Sequence, residues 1–229
     1  MIEFLPVIIL VFSFLLFLLL GVPVAWCIAT SSMLTLISVM PFSAATTTVS
    51  QRIATGLDSF ALLAIPFFIL SGQIMSKGGI ANRLISFAKT LVGFLPGGLA
   101  LINIVSAMMM GAIAGSAMAS ASAMGTILGP EMEKEGYSKE FGAAVNITSS
   151  TTGLVIPPSN TLIVYSLASG GVSIATLFLA GYVPGIITGL FMMIVAIVWA
   201  KKNNYPVGKR SSLKEVFVKF IDALPSLLL

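Results

Sequence analysis

The sequence predicts an all-α polytopic membrane protein that contains a re-entrant helical hairpin and a broken transmembrane helix. Three observations predict this class. Of 229 residues, 57% are hydrophobic and 9% are charged, and the mean hydropathy of +1.06 is too high for a soluble domain of this size. Apolar stretches long enough to span a bilayer recur along the chain. A polar stretch with two adjacent prolines, SSTTGLVIPPSN at residues 149–160, interrupts one of them.

The ionisable side chains are few and unevenly placed. A single cysteine, Cys27, excludes an internal disulfide, and the sequence has no histidine. The net charge is +4, and the cations lie between apolar stretches. That pattern is typical of membrane topology signals, so we expect a lipid bilayer as partner and no nucleic acid.

The first part of the chain, residues 1–78, predicts membrane helices. We expect spans at 3–20, 22–40 and 59–76 and a short interfacial segment at 44–57. Residues 79–93 follow as an interfacial arm, because 79–92 carry Arg83 and Lys89 among apolar residues at helical spacing.

Residues 94–130 predict the re-entrant hairpin. The stretch 99–129 is rich in Gly, Ala, Ser and Met, and its turn is expected at residues 114–116. A single long tilted helix with small-residue faces is the alternative. Basic residues flank the stretch at both ends, and they share one side of the membrane only if the chain enters and returns, which favours the hairpin.

The cations also predict an orientation. Eleven of them can share one side: Lys77, Arg83, Lys89, Lys134, Lys139, Lys201, Lys202, Lys209, Arg210, Lys214 and Lys219. Arg52 is then alone on the other side. The positive-inside rule makes the shared side the cytoplasm and the N-terminus periplasmic. Residues 171–200 predict a transmembrane helix. Residues 201–229 predict a loop, cytoplasmic over 201–213, and the start of a further arm or helix.

Residues 131–170 predict the broken transmembrane helix. After a charged start, a helix over about 141–152 is expected to end because Pro157 and Pro158 lack amide donors and clash with the preceding turn. Ser159-Asn160-Thr161 is a favourable start for a second half-helix. A proline kink repaired by neighbouring hydroxyls is the alternative. A diproline beside a glycine and a serine-threonine run favours the break.

A broken helix inside a membrane protein exposes backbone groups that can bind ions. The first half-helix ends in free carbonyl groups and the second begins with free amides. Carbonyl and hydroxyl oxygens suit a hard cation, whereas amides and hydroxyls suit a carboxylate. Non-helical backbone at this depth is tolerated only inside protein or against a water-filled cavity, as in ion-coupled secondary transporters.

Several stretches together carry a family resemblance. These are GVPVAW at 21–26, DSFALLAIPFF at 58–68, LPGGL at 95–99, the GLVIPPSN break and LFLAGYVPG at 177–185. With the hairpin, they resemble the large membrane (permease) subunit of tripartite ATP-independent periplasmic (TRAP) transporters. The resemblance covers essentially all 229 residues, but only one hairpin and one break are found. It therefore implies the N-terminal half of such a subunit, with the second repeat absent.

The resemblance implies a mechanism as well as a fold. It implies half of an inverted-repeat, elevator-type carrier in which residues 1–78 are scaffold-type helices. Such carriers import small organic acid anions, such as dicarboxylates or sialic acid, across the bacterial inner membrane. The coupling ion is Na⁺, with no other cofactor. The expected partners are a small TRAP membrane subunit and a periplasmic substrate-binding protein.

The resemblance also implies site residues. Sodium is expected at the junction of the hairpin turn and the break, with a hydroxyl from Ser116 and main-chain oxygens from the other residues: Ala114, Ser116, Gly153, Ile156 and Pro158. The substrate anion is expected next to it, at Ser116, Ser149, Ser150, Thr151, Ser159 and Asn160.

The residues themselves favour sodium over a proton. The hairpin core and the break contain no Asp, Glu or His, which are the usual intramembrane proton relays, and Asp58 and Glu140 lie at segment ends. Two other classes remain. A membrane enzyme is not expected, because no His/Cys/Asp/Glu cluster is present and every lysine that could pair with a serine lies at an interface. A channel or scaffold subunit without its own coupled transport is the alternative function.

Overall fold

The computed structural model describes residues 4–58 and 60–227. The first residue of the predicted span 3–20 and the end of the predicted segment 201–229 lie outside the described residues. The described helices are α1 (Leu5–Leu19), α2 (Val24–Val39), α3 (Phe42–Leu57), α4 (Phe60–Lys77), α5 (Ile80–Val92), α6 (Gly98–Ala114), α7 (Ala117–Lys134), α8 (Lys139–Ser150), a 3₁₀ helix (Thr151–Leu154), α9 (Asn160–Ala168), α10 (Ile174–Lys202) and α11 (Leu213–Leu227).

Residues 1–60 form the first of two compact units. Helix α1 ends where Gly21 adopts a φ of +77°, a left-handed conformation that glycine takes without strain. Helix α2 then packs along α1. The buried side chains in this pair are small, namely Ser13, Cys27 and Ser31, while most of the large apolar ones are exposed. Small residues between helices and apolar residues facing outward are typical of helices packed in lipid.

Residues 61–229 form the second unit, in which α6 is the central helix. Helix α6 contacts α5, α7, α8 and α10, and residues on all its sides are buried. A helix that is apolar all round is stable only when neighbours cover it. The core around α6 includes Leu101, Ile104 and Met110, with Met124 and Leu128 from α7.

Helix α5 is amphipathic, as predicted. Ala81, Leu84 and Ala88 are buried, whereas Arg83 and Lys89 are exposed. Its buried face packs on α6 and on the amphipathic helix α11. The rings of Phe87 and Phe220 lie 5.6 Å apart, and the half-exposed Arg83 and Asp222 form a pair at 3.9 Å. An exposed pair of this kind contributes at most about 1 kcal/mol, so apolar burial holds α5 and α11 together.

Aromatic rings join the start of α8 to the end of α10. Tyr137 stacks on Tyr205 at 4.3 Å, and Phe141 stacks on Trp199 at 6.0 Å between centroids. The backbone amide of Ser138 donates to the Tyr205 hydroxyl at 3.3 Å. Burial raises the pKa of Tyr137 to about 12, so this phenol stays neutral at physiological pH.

The predicted helices are present, with small shifts of their ends. The long span predicted at 171–200 is observed at Ile174–Lys202 and is long and apolar enough to cross a bilayer by itself. Helix α7 runs on through Pro130 to Lys134, four residues beyond the predicted end of the hairpin at residue 130. The other arm of the hairpin, α6, has 17 residues, or roughly 26 Å. The depth that both arms reach in a membrane stays a prediction.

Candidate functional site

The turn between α6 and α7 lies where the sequence predicted it. We call residues 114–116 the tip. Helix α6 ends at Ala114, and Gly115 follows with a φ of +59°, a left-handed conformation that favours glycine. Ser116 then caps α7 by accepting a hydrogen bond from the Ala119 amide at 3.4 Å.

The two arms are antiparallel and joined side by side. The Ser120 hydroxyl donates to the Ala107 carbonyl across the hairpin at 3.3 Å. Because residue 107 lies seven residues before the tip and residue 120 lies four residues after it, this bond requires α7 to run back along α6. The two helices therefore form a hairpin, and its re-entrant position in a membrane stays a prediction.

Residues 151–159, which we call the break, separate α8 from α9. The α-helix ends at Ser150, a 3₁₀ turn follows, and residues 155–159 are not helical. Ser159 bridges the interruption, since its hydroxyl donates to the Leu154 carbonyl at 2.6 Å and accepts from the Leu162 amide at 3.3 Å. One buried side chain thus caps the second half-helix and holds the end of the first.

The tip and the break are in contact. The Asn160 amide donates to the Gly115 carbonyl at 3.4 Å. A Cβ added to Gly115 would lie 2.6 Å from the Pro158 carbonyl oxygen. Further along the hairpin, a Cβ on Gly111 would overlap the Gly153 Cα and lie 2.9 Å from its amide nitrogen. The two backbones therefore approach as closely as glycine permits.

The five residues expected to hold sodium are brought together by this contact. Ala114, Gly153 and Ile156 are buried, while Ser116 and Pro158 are partly exposed. A Cβ on Gly153 would lie 3.6 Å from the Ser116 carbonyl oxygen, and this places the start of α7 against the break. The contact joins the backbones of two segments, 98–129 and 141–160, and neither contains a charged side chain.

The residues expected to bind substrate divide into two groups. Ser116, Ser159 and Asn160 lie at the contact between tip and break, and the buried Asn160 Oδ1 has no hydrogen-bond partner among the described residues. The second group, Ser149, Ser150 and Thr151, lies at the C-terminal end of α8.

The hydroxyls of the second group are bonded inside the protein. The Ser149 hydroxyl donates to Asn103 Oδ1 at 3.2 Å, and the Ser150 hydroxyl donates to the Asn146 carbonyl at 2.7 Å. Asn103 precedes Ala114 by eleven residues, roughly 16 Å of helix, so Ser149 lies well below the tip. Thr151 is exposed, and its hydroxyl donates to the Thr148 carbonyl at 2.6 Å.

Comparison with known proteins identifies the family. Residues 11–229 match the family described as "Tripartite ATP-independent periplasmic transporter, DctM component". The chain belongs to this family. The match confirms the resemblance to TRAP large permease subunits that the motifs indicated.

Curated relatives of this DctM-family chain extend beyond it. It is 53% identical over 224 residues to the uncharacterized protein YgiK of Salmonella typhimurium, covering 98% of this chain and 52% of that protein. It is 42% identical over 199 residues to the C4-dicarboxylate TRAP transporter large permease protein DctM of Vibrio cholerae, covering 85% and 43%. The sialic acid TRAP transporter large permease protein SiaM of the same species is 35% identical over 179 residues, covering 78% and 42%. The chain spans about half the length of the curated relatives it matches.

Three glycines of α10 in this DctM-family chain allow close packing, and this role was not predicted from the sequence. Gly181, Gly185 and Gly189 lie on one face of α10 and are buried. A Cβ on Gly181 would overlap the Val155 carbonyl oxygen and one on Gly185 the Ile156 side chain, both in the break, whereas one on Gly189 would overlap Met108 of α6. The spacing of four residues in an apolar helix was the available signal for close packing.

Two asparagines inside the second unit were also missed. Asn103 is 1% exposed in the centre of α6, and the Asn146 side-chain amide donates to the Ala121 carbonyl of α7 at 2.9 Å. They join α6, α7 and α8 through polar contacts. An asparagine within an apolar stretch could have indicated such bonds, because a buried amide requires a partner.

Proposed function

We propose that this chain contributes the first of two sites in a sodium-coupled secondary transporter. In this proposal, the transporter imports a small organic acid anion across the bacterial inner membrane. It receives the anion from a periplasmic binding protein and works beside a small membrane subunit. The observation that carries the proposal is the contact between tip and break, where two interrupted backbone segments meet.

The backbone at this contact suits a monovalent hard cation. The 3₁₀ turn at the end of α8 and the C-terminus of α6 both direct carbonyl dipoles toward the contact region. Ser116 adds a hydroxyl. No Asp, Glu or His occurs in residues 98–129 or 141–160, so this part of the chain has no side chain to carry a proton. These features support sodium as the coupling ion.

The first turn of α9 suits a carboxylate. The positive end of its dipole lies next to the buried Ser159 and the amide side chain of Asn160, although the backbone amides of Asn160 and Leu162 already donate to Gly115 and Ser159. Relatives are named for transport of C4-dicarboxylate, isethionate and sialic acid, all of which are organic acids. These names support an organic acid anion as the substrate class. We place it near Ser116, Ser159 and Asn160, with Ser149, Ser150 and Thr151 farther away, where α8 ends.

The proposed movement is that of an elevator. Residues 99–169 would move as one body, while residues 3–40 stay fixed against partner subunits and α5 links the two. The glycines of α10 that contact the break make α10 part of the moving body in this proposal. Two structures, facing inward and outward, should show Ser116 and Gly153 shifting together along the membrane normal when superposed on residues 3–40.

Uptake into proteoliposomes tests the function. We expect a panel of organic acids, offered with the periplasmic binding protein, to include one whose uptake saturates and requires an inward sodium gradient. Choline should not replace sodium, and a proton gradient alone should not drive uptake. Flux that does not saturate and ignores sodium would instead indicate the channel or scaffold alternative.

Ser116→Ala is expected to weaken sodium dependence. It removes one oxygen ligand, so the sodium concentration for half-maximal uptake should rise about tenfold, the effect expected when one strong interaction with a charge is lost. Ser116 also caps α7, which by itself contributes about 1 kcal/mol. Ser138→Ala is the matched control, because Ser138 caps α8 by accepting from the Phe141 amide at 3.2 Å. Equal sodium dependence in both variants would remove Ser116 from the site.

The proposed orientation has its own test. In a variant lacking Cys27, a single cysteine at Lys134 or Lys202 should react with an impermeant maleimide only from the cytoplasm. A cysteine at Arg52 should react only from the periplasm. These expectations follow from the distribution of cations and from a hairpin that returns to its starting side. Periplasmic labelling at position 134 would show that the chain crosses the membrane between α5 and α8.

A further inference from the structure

A charged pocket lies in the second unit, far along α6 from the tip. Its volume is about 440 Å³. It is enclosed by α5, the first turn of α6, the last turn of α7, the loop 206–211 and α11. None of these elements contributes a residue to the sodium or substrate sites proposed above, so the pocket needs its own explanation.

The pocket carries opposite charges on different walls. Lys89 of α5 and Lys209 and Arg210 of the loop are basic, whereas Glu131 and Glu135 at the end of α7 are acidic. Helix α11 adds one residue of each sign, Glu215 and Lys219. Within the described part of the chain, the ion pairs closer than 4.0 Å are Arg83–Asp222 and Lys139–Glu133, and neither involves these seven residues. The charged residues that line the pocket therefore do not neutralise each other through direct ion pairs.

The basic wall is held in place by backbone contacts. Pro96 and Val207 form an antiparallel bridge between the loop and the segment before α6. A Cβ on Gly208 would overlap the Gly93 carbonyl oxygen, so the loop lies flat on the end of α5. The Arg210 guanidinium sits 5.0 Å from the centre of the Phe94 ring, within the range of a cation–π contact. These contacts restrict the conformations of the loop before a ligand binds. Binding therefore costs less conformational entropy than it would with a mobile loop.

The two helices beside the pocket have faces suited to a membrane surface. Helices α5 and α11 are amphipathic, and α11 exposes Phe217 and Ile221 one turn apart, 63% and 50% exposed. Amphipathic helices with exposed aromatic residues lie in the interface between headgroups and acyl chains. Phe217 and Ile221 lie on the side of α11 opposite the pocket residues Glu215 and Lys219. With α11 in the interface, these two side chains face the acyl chains and the pocket lies at the level of the headgroups.

We propose that the pocket binds the headgroup of a zwitterionic phospholipid that carries a phosphodiester and a primary ammonium, such as phosphatidylethanolamine. The phosphate meets Lys209 and Arg210 beside the start of α6, where the positive end of the helix dipole adds to the attraction. The ammonium donates to Glu131 and Glu135. A purely anionic headgroup would leave these carboxylates facing its negative charge, and a trimethylammonium group has no N–H to donate to them.

Native mass spectrometry of the purified protein in detergent tests the proposal. Phosphatidylethanolamine, phosphatidylglycerol and phosphatidylcholine with identical acyl chains are added at equal concentration. We expect phosphatidylethanolamine to be retained about fivefold more than either of the others, the preference that one partly screened charge pair supports. Equal retention of all three lipids would overturn the proposal. A tenfold excess of soluble glycerophosphoethanolamine should leave retention unchanged, and full displacement would show that a soluble ligand, and not a lipid, occupies the pocket.

Two double variants test the acidic wall and the basic wall of the pocket one at a time. E131Q/E135Q keeps the shape of both side chains and should abolish the preference for phosphatidylethanolamine over phosphatidylglycerol. K209A/R210A should lower retention of both lipids. K201A/K202A, which removes two cations at the end of α10 that do not line the pocket, is the matched control and should change neither. If that control variant lost lipid as strongly as K209A/R210A, the binding would be a general effect of surface charge and the pocket would have no part in it.

Discussion

Gly111→Ala is expected to abolish sodium-driven uptake. The added methyl group would overlap the Gly153 Cα and lie 2.9 Å from its amide nitrogen, and both atoms belong to backbone that cannot rotate away. The hairpin and the break would have to separate, so the oxygens on the two sides could no longer surround one ion. Overpacking of this kind typically costs about 1–3 kcal/mol of stability. A shift of about 1 Å in a binding geometry can lower a rate about 100-fold.

Gly56→Ala is the matched control for this variant. Gly56 also lies inside a helix, near the end of α3, but nothing lies within 4 Å of a Cβ placed there and no proline comes directly after it. Its replacement should therefore leave uptake unchanged and raise stability by up to about 1 kcal/mol, the difference in helix propensity. Uptake in proteoliposomes and the thermal unfolding temperature in detergent would be measured for both. Normal uptake by Gly111→Ala would show that the close approach of hairpin and break is not needed for transport.

Replacement of Pro157 and Pro158 by alanine is expected to abolish uptake while the protein still inserts into the membrane. Alanine supplies the two missing amides and has the highest helix propensity, so the helices can extend into the break. Helical bonds would then occupy the carbonyl and amide groups that are free for ligands. The Pro158 carbonyl would also move away from Gly115. At present these two residues are so close that a Cβ built on Gly115 would lie 2.6 Å from the Pro158 carbonyl oxygen.

The control for the double variant is Pro184→Ala. Pro184 lies inside the continuous helix α10 and is exposed, so its loss should straighten or stabilise that helix without opening a site. Membrane insertion is checked by the amount of protein in washed membranes, and function by uptake. If the double variant transported at the normal rate, Pro157 and Pro158 would produce only a kink.

Local chemistry explains which features could be predicted from the sequence. The tip was predictable because a glycine followed by serine ends one helix and caps the next, and both roles depend on neighbouring residues. The break was predictable because a diproline cannot continue a helix and Ser159 is a favourable cap. Helix ends shifted by a few residues, as in the span predicted at 171–200 and observed at Ile174–Lys202, because flanking contacts decide where a final turn frays.

Contacts between distant segments could not be predicted in the same way. The glycines at 181, 185 and 189 indicate close packing, but their spacing does not say that the first two contact the break and the third contacts Met108 of α6. Ser149 and Ser150 were expected to face a substrate, yet their hydroxyls bond Asn103 and the Asn146 carbonyl. A serine near the end of a helix can bond its own backbone or a ligand, and the sequence does not decide between these partners.

The central claim is that sodium binds where the tip meets the break, and paired density maps test it most directly. The transporter would be imaged at high resolution once in sodium chloride and once in choline chloride. We predict a density peak, present only with sodium, enclosed by the Ser116 hydroxyl and by main-chain oxygens of Ala114, Gly153, Ile156 and Pro158. Identical maps at this point, or a sodium-dependent peak elsewhere with none between tip and break, would contradict the claim.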